Sequence, residues 1–295
     1  MRFNEAVRAA LLAAAIFVTV LTLAGCAGQC GTGSGATKEA GTVLEYRIPD
    51  DVSYEFISDT TQTMNIQGQS VPIYTSEVLA FSVTPKGTKG GEHALGITID
   101  GLTVIASTPD GDLEADPEGI VGESFDMTLS KLGIEGGLPE SDFLEYMIGN
   151  EGPKSIITGF SVIFPDLPER PVDVGGTWPV TLELTEQSGD SSVVIKIDAV
   201  NTLAGFDVIN GLECAEISAV LTGTIEGSGA QNGVEWTMST EMDGVGSWYF
   251  AHEEGILVSD WTEGTADGSI TVASPGGEMV IPVTREYTML VRLVQ

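Results

Sequence analysis

The chain has 295 residues, of which 42% are hydrophobic and 19% are charged. That composition supports one large β domain or two smaller ones, and it is too apolar for a disordered chain. The 43 acidic residues outnumber the 12 basic ones, and the formal net charge is -31 at pH 7. Nucleic acid is therefore excluded as a partner, because phosphate binding needs clustered Lys and Arg. The charge favours solubility over specific cation binding, although composition alone does not separate the two.

The first 25 residues have the organisation of an export signal. Arg2 and Arg8 lie in the charged start, and residues 9–25 are apolar except for two threonines. A membrane-spanning helix is the alternative, but the run is at the lower limit of the ~17–25 residues that such a helix needs. We therefore predict a signal peptide over residues 1–25.

The end of this segment, Leu23-Ala24-Gly25-Cys26, resembles the lipobox of bacterial lipoproteins. The resemblance implies that Cys26 is lipidated and becomes the first residue of the mature chain. Two or three buried acyl chains would then anchor the protein stably in a membrane. Residues 26–41 are rich in Gly and Ser and are predicted to form a flexible tether. We expect an extracytoplasmic protein of the cell envelope, lipid-anchored to the cell membrane or the outer membrane.

From residue 42 onward the hydrophobic pattern has a period of two, which predicts antiparallel β-strands. In the clearest run, 279–293, every second residue is apolar and only Arg285 interrupts the row. The dipeptides Asp100-Gly101, Asn210-Gly211 and Asp267-Gly268 predict tight turns, because their residue types accept positive φ angles.

The predicted fold is mainly β, with two curved antiparallel sheets that are half-barrel-like. The N-terminal β region covers residues 42–133 and the C-terminal β region covers residues 171–295. A Pro-rich connector, residues 134–170, joins them. It is predicted to contain one short helix, from Ser141 to Ile148, because Ser141 is suited to capping the first turn.

Two segments are similar to uncharacterised bacterial envelope lipoproteins. Residues 164–178 contain Phe-Pro followed by Pro-Val-Asp-Val-Gly-Gly-Thr-Trp, and residues 246–257 contain Trp-Tyr-Phe before an acidic turn. The resemblance implies the half-barrel sheet of the lipoprotein-carrier superfamily (LolA/LppX-like), whose inner face can hold acyl chains under a lid. From their residue types, Trp178, Trp248 and Phe250 are expected to be core residues.

The sequence contains no recognisable catalytic constellation, and we expect no enzyme activity. The two histidines, His93 and His252, lie in different halves, and the Gly-x-Ser-x-Gly motif of many hydrolases is missing. After Cys26, the chain has Cys30 in the tether and Cys214 in a predicted strand. These two could pair in an oxidising envelope, but the favoured interpretation of Cys214 is a small buried apolar residue.

One acidic stretch is a weak candidate for calcium binding, and no other cofactor is expected. Its carboxylates alternate along the chain, as in calcium loops, and they belong to Asp110, Asp112, Glu114 and Asp116. Ala115 stands where such a loop needs Gly. An exposed acidic loop is therefore the preferred interpretation.

These features favour a non-catalytic lipoprotein that binds an apolar or lipid ligand. The Met-rich and aromatic face of residues 279–293 supports such a ligand. The alternative is a structural or adhesion module at the cell surface, with or without stabilising calcium. The expected partners are the membrane, through the lipid anchor, and the ligand. The oligomeric state is left open.

Overall fold

The computed structural model describes residues 41–140, 143–148, 153–188, 191–231, 234–274 and 277–294. The predicted signal peptide, Cys26 and most of the predicted tether lie outside these residues. None of the described segments forms a helix with the length and apolarity needed to cross a membrane.

The described residues form β-strands and one short 3-10 turn. The strands are β1 (Val52–Ile66), β2 (Gln69–Lys89), β3 (Glu92–Thr108), β4 (Gly111–Glu114), β5 (Ser124–Leu129), β6 (Glu135–Gly136), β7 (Glu145–Tyr146), β8 (Lys154–Ser155), β9 (Thr177–Ser188), β10 (Ser191–Ile209), β11 (Leu212–Gln231), β12 (Val234–Ala251), β13 (Ile256–Ser274) and β14 (Gly277–Val294). The 3-10 turn covers Gly159–Ser161.

Twelve of the strands form one antiparallel sheet in the order β6-β5-β3-β2-β1-β14-β13-β12-β11-β10-β9, and β4 pairs with β3. The prediction of a mainly β, half-barrel-like fold is confirmed. The two strand-rich regions are not separate sheets, however, because β1 pairs with β14 along most of its length. Thr60 lies opposite Tyr287 in this pair. The first and last long strands of the chain thus lie at the middle of a single sheet.

Side chains alternate between two faces of this sheet. On β1, Tyr54 and Phe56 are buried on what we call the inner face, and Glu55 and Ile57 point to the outer face. The same alternation runs through β14 and β12. It follows from the two-residue period of a strand, so the apolar rows of the sequence become the inner face.

The turn predictions were partly right. Asn210 and Gly211 adopt φ angles of 53° and 84° between β10 and β11, which confirms a tight turn. The predicted turn at Asp100-Gly101 is wrong, because β3 continues through it with a register shift opposite Ala80 and Phe81. Asp267-Gly268 lies inside β13 and is also not a turn. In both cases, pairing with long neighbouring strands outweighs the local preference for a turn.

The helix predicted from Ser141 to Ile148 is wrong for the described residues 143–148. Glu145–Tyr146 is instead strand β7, which pairs with β8. Leu144 has a φ of 59°, which a right-handed helix does not contain. The buried side chains of Tyr146 and Ile148 decide the backbone here, because an extended segment directs alternate residues into the core.

Candidate functional site

The connector covers part of the inner face with aromatic side chains. Phe160 packs edge-on against Phe81 of β2, with ring centres 5.0 Å apart, and against Phe125 of β5 at 5.1 Å. Phe164 packs edge-on against Tyr54 of β1 at 6.0 Å. Edge-to-face pairs of this kind contribute about 0.5–1.5 kcal/mol each beyond the area they bury. The connector is therefore a closely packed apolar cover.

Hydrogen bonds from the sheet and its flanking segments hold the backbone around Phe164. The Tyr46 hydroxyl donates to the carbonyl oxygen of Pro165 at 3.0 Å, and the Trp178 indole donates to the carbonyl oxygen of Asp166 at 3.1 Å. The Phe164 amide donates to a carboxylate oxygen of Glu135 at 3.0 Å. These bonds fix the position of the segment around Phe164, which is not itself a strand of the main sheet.

A second cluster on the inner face is polar. We call it the interior ion cluster, and it consists of Gln62, Glu77, Tyr146, Lys154, Glu186 and Arg285. Arg285 is buried and donates to Gln62 Oε1 at 2.6 Å. The members come from six strands, two of them in the connector. Folding thus brings together residues that are up to 223 positions apart.

The carboxylates of the interior ion cluster are held in an unfavourable environment. Burial raises the pKa of Glu77 to about 7, and the nearby Lys154 charge opposes this shift. Burial also raises the pKa of Glu186, which Lys154 and Arg285 oppose and Glu77 reinforces. Burial, with help from both carboxylates, raises the pKa of Tyr146. Strongly shifted groups gathered in one place are typical of functional sites.

Several polar atoms of this cluster have no hydrogen-bond partner among the described residues. They are Gln62 Nε2, Glu77 Oε2, Tyr146 Oη and Glu186 Oε1. Each buried polar atom left in this state costs about 1–3 kcal/mol. Buried polar atoms without a partner in the protein mark places where a ligand or an ordered water molecule can bind.

The interior ion cluster also reaches the surface. Glu77 is only 4% exposed, but Lys154 and Glu186 are both partly exposed. Glu186 lies on β9, which is the edge strand of the main sheet, and Lys154 lies on β8 of the connector. The cluster is therefore partly accessible to solvent at Lys154 and Glu186.

A separate groove of about 670 Å³ crosses the outer face of the sheet. Four of its lining residues are acidic, namely Asp59, Asp243, Glu263 and Glu286, and its apolar residues include Val220 and Val245. Across neighbouring strands the carboxylates lie opposite threonines, as Glu286 does opposite Thr265. That arrangement keeps like charges from lying directly opposite each other.

The residues singled out from the sequence have different environments. Trp178 and Trp248 are buried and pack edge-on at 6.1 Å, and Phe250 is also buried, so all three are core residues as predicted. Cys214 is buried as predicted. Cys30 lies outside the described residues, and its pairing with Cys214 stays a prediction.

The candidate calcium loop forms the tip of β3 and β4. Its carboxylates, from Asp110, Asp112, Glu114 and Asp116, are exposed. Within the described ranges, no three or more His, Cys, Asp or Glu side chains are grouped so that they could hold a metal ion. Calcium binding by this loop stays a prediction.

The histidines do not belong to a common site. His93 Nε2 lies 2.9 Å from the carbonyl oxygen of Tyr46, and the His252 ring packs against Phe206. Sequence reasoning did not find the interior ion cluster, although one signal was present. Arg285 interrupts an apolar row, and Glu77 and Glu186 follow the same two-residue phase as apolar neighbours. A charge in the phase of an apolar row is the pattern that marks such a cluster.

Comparison with known proteins yields weak similarities. No family model and no curated protein matches the chain. Among solved structures, OccK2 (OpdF) from Pseudomonas aeruginosa is 9% identical, with a TM-score of 0.26 over 85% of this chain and 100% of that one. An outer membrane channel from Pseudomonas putida F1 is 8% identical, with a TM-score of 0.18 over 88% and 100%. A DUF1329 family protein from Desulfovibrio piger ATCC 29098 is 10% identical, with a TM-score of 0.15 over 82% and 84%. All three TM-scores are low, so these similarities carry no argument about function.

Proposed function

We propose that the chain is a lipid-anchored lipoprotein of the cell envelope that binds an apolar or lipid ligand without catalysing a reaction. The location rests on Leu23 to Cys26, which resemble a lipobox. The binding role rests on the inner face of the sheet, where the ligand would replace part of the connector. The resemblance of residues 164–178 and 246–257 to envelope lipoproteins of the lipoprotein-carrier type (LolA/LppX-like) supports the same role.

The binding role rests on one observation. The aromatic inner face of the sheet is covered by the connector, a segment with little regular structure. Between residues 134 and 170, the described connector has only the two-residue strands β6, β7 and β8 and the 3-10 turn. Apart from the short pairing of β6 with β5, its attachment depends on side-chain packing and isolated hydrogen bonds. Segments without an extended backbone ladder open at a lower free energy than long central strands. The connector is therefore the part of the fold that can act as a lid.

A disulfide staple tests whether the connector must move. Ala115, which follows β4, and Ile148 in the connector form an isolated antiparallel bridge. Such pairs have Cα atoms about 4.5–5.5 Å apart, which suits a disulfide. We expect the double variant Ala115→Cys with Ile148→Cys to lose binding of 1-dodecanol when oxidised and to regain it when reduced. Native mass spectrometry of the full-length, detergent-released protein measures the bound alcohol.

The matched control is a staple across the outer face, Ser218→Cys with Ser247→Cys, since this pair joins β11 and β12 without touching the connector. It should bind 1-dodecanol equally well in both redox states. Single-cysteine variants control for pairing with Cys30 or Cys214. If wild type never binds the alcohol, or if the oxidised connector staple binds it normally, the lid model is wrong.

A structural or adhesion role is the second candidate, and the close packing of the inner face favours it. The largest fully buried side chains include Tyr46, Phe81, Phe160 and Phe164. Side chains of the connector therefore already fill the space between the connector and the inner face. A structural or adhesion role requires only a stable, closely packed domain of this kind. Under this alternative, the wild-type protein carries no ligand after gentle purification and does not bind added 1-dodecanol.

A further inference from the structure

An apolar band crosses the outer face of the main sheet. Its side chains lie in two neighbouring cross-strand rows, with one residue on each strand. The first set, on β2, β1, β14 and β13, consists of Val78, Ile57, Leu290 and Trp261. The second set, on β12, β11, β10 and β9, consists of Val245, Val220, Val200 and Pro179. We call these eight residues the outer band.

The two sets of the outer band meet between β13 and β12. Trp261 lies opposite Ser247, and Val245 is two residues before Ser247 on the same strand. Residues in this diagonal relation are about 7–8 Å apart, which is within reach of an aromatic side chain. The outer band therefore continues across eight neighbouring strands. At a strand spacing of about 4.8 Å, its length is about 34 Å.

Most of the outer band is open to solvent within the described part of the chain. Val200, Val220 and Val245 are 50%, 60% and 46% exposed, and Trp261 is 38% exposed. Single exposed apolar residues are common on protein surfaces, but contiguous ones mark interaction sites. The outer band is therefore a surface that a partner can cover.

Carboxylates lie along one side of the outer band. Asp59 and Glu263 belong to the cross-strand row of Val245, and Asp243 and Glu286 belong to the next row. All four line the outer-face groove of about 670 Å³, together with Val245 of the outer band. The groove thus combines an apolar side with an acidic side.

The charges of these four carboxylates are not balanced by neighbouring cations. None of the four forms an ion pair with a described Lys or Arg. Tyr74 donates a hydrogen bond to Asp59, and Thr265 donates one to Asp243, but both donors are neutral hydroxyl groups. On the opposite side of the outer band, the charge of Glu55 is already paired with Arg292. Only one side of the outer band is therefore complementary to a positively charged partner.

We propose that the outer band and the acidic groove beside it bind an amphipathic helix of a partner protein. The apolar stripe of the helix covers the outer band, and its Lys or Arg side chains lie along the four carboxylates. A helix rises about 1.5 Å per residue, so about 22 residues match the length of the outer band. This inference goes beyond the proposed function, because the inner face and the connector take no part in it.

The spacing of the outer band favours a helix over an extended segment. A helix has a pitch of about 5.4 Å, which is close to the spacing of about 4.8 Å between strands. An extended segment instead presents the side chains of one face about every 6.6–6.8 Å. A membrane surface is disfavoured, because anionic head groups would be repelled by a chain with a net charge of -31.

The experiment measures binding of a synthetic helical peptide of about 22 residues. Leu residues form one stripe of this peptide, Lys residues form one flank, and Ala fills the other positions. Fluorescence anisotropy of the labelled peptide reports its binding to the full-length protein in the presence of phosphatidylcholine nanodiscs, and nanodiscs alone give the background. We expect the wild-type protein to bind this peptide at least about tenfold more tightly than a peptide of the same composition without the stripe.

The apolar contact is tested with Val200→Thr combined with Val220→Thr, which keeps the branched shape of both side chains. We expect this double variant to bind the peptide about tenfold more weakly than wild type. The matched control is Val208→Thr combined with Val280→Thr, since these valines are 65% and 62% exposed and lie outside the outer band. The control should bind as wild type does.

The charged contact is tested with Glu263→Gln combined with Glu286→Gln. We expect about tenfold weaker binding of the peptide. The control, Asp112→Asn combined with Glu114→Gln, removes the same charge from the exposed tip of β3 and β4 and should change binding less than about twofold.

Three results would overturn the proposal. The first is a wild-type protein that does not bind the striped peptide, or that binds the peptide without a stripe equally well. The second is equal binding by the outer-band valine variant and its valine control. The third is equal weakening by the two charge variants, since binding would then follow the net charge of the protein and not the groove.

Discussion

Asp260 provides a test of the buried electrostatics of this sheet. Its carboxyl lies on the inner face of β13, between Trp248 of β12 and Val291 of β14, and it is only 7% exposed. Burial raises its pKa from the ordinary 3.8 to about 7. The variant Asp260→Asn keeps the shape of the side chain and removes its titration.

The direction of the pH effect follows from the raised pKa of Asp260. A carboxyl that is easier to protonate in the folded state stabilises the fold at low pH, and this contribution is lost as the pH rises towards 7. One pKa unit corresponds to about 1.4 kcal/mol. Between pH 5 and pH 8, the free energy of unfolding of wild type should therefore fall by about 3 kcal/mol because of Asp260 alone.

Urea unfolding at pH 5, 6, 7 and 8 measures this difference. The stability of Asp260→Asn minus that of wild type should increase by about 3 kcal/mol over this range, since the other titrating groups are common to both proteins. Glu263→Gln, which removes an exposed carboxyl on the outer face of the same strand, is the matched control. A difference between Asp260→Asn and wild type that stays constant with pH would refute the reasoning.

Three further predictions concern the cover, the sheet and the anchor. Phe164→Ala should lower the free energy of unfolding by about 3–5 kcal/mol in urea titrations, because it leaves a cavity among aromatic rings. Gly264→Ala should destabilise the sheet, because its Cβ would overlap the Asp243 carbonyl oxygen and the Tyr287 hydroxyl, whereas Gly101→Ala meets only an ordinary contact at 3.7 Å and serves as the control. Equal melting temperatures for Gly264→Ala and Gly101→Ala would contradict the predicted overlap at Gly264. Cys26→Ala should abolish acylation and release the protein from membranes, which metabolic labelling with a fatty acid and cell fractionation would detect.

The correct and incorrect turn predictions have a common explanation. Asn210-Gly211 and Asp100-Gly101 have similar local preferences, yet only the first pair forms a turn. Strand β3 continues past Asp100 because it pairs with β2 on one side and with β4 and β5 on the other. A dipeptide preference of about 1 kcal/mol is outweighed by several ladder hydrogen bonds and the burial that goes with them.

The connector shows the same limit for a longer segment. Ser141 and the residues after it have a composition that suits a short helix, but Glu145–Tyr146 forms a strand, and Tyr146 and Ile148 lie in the core. Whether this segment is helical or extended depends on the inner face of the sheet, against which the connector packs. That face is built from strands distant in sequence, so local propensity contains no information about it.

The sequence by itself determined the β class, most of the strand faces, the turn at Asn210-Gly211 and the prediction of a lipidated Cys26. Those features depend on neighbouring residues, because side chains alternate along a strand and a signal is a short contiguous pattern. Only the tertiary structure decided that β1 pairs with β14 in one sheet and that Arg285 donates a hydrogen bond to Gln62. Partners so far apart in the chain are selected by the packing of the whole sheet.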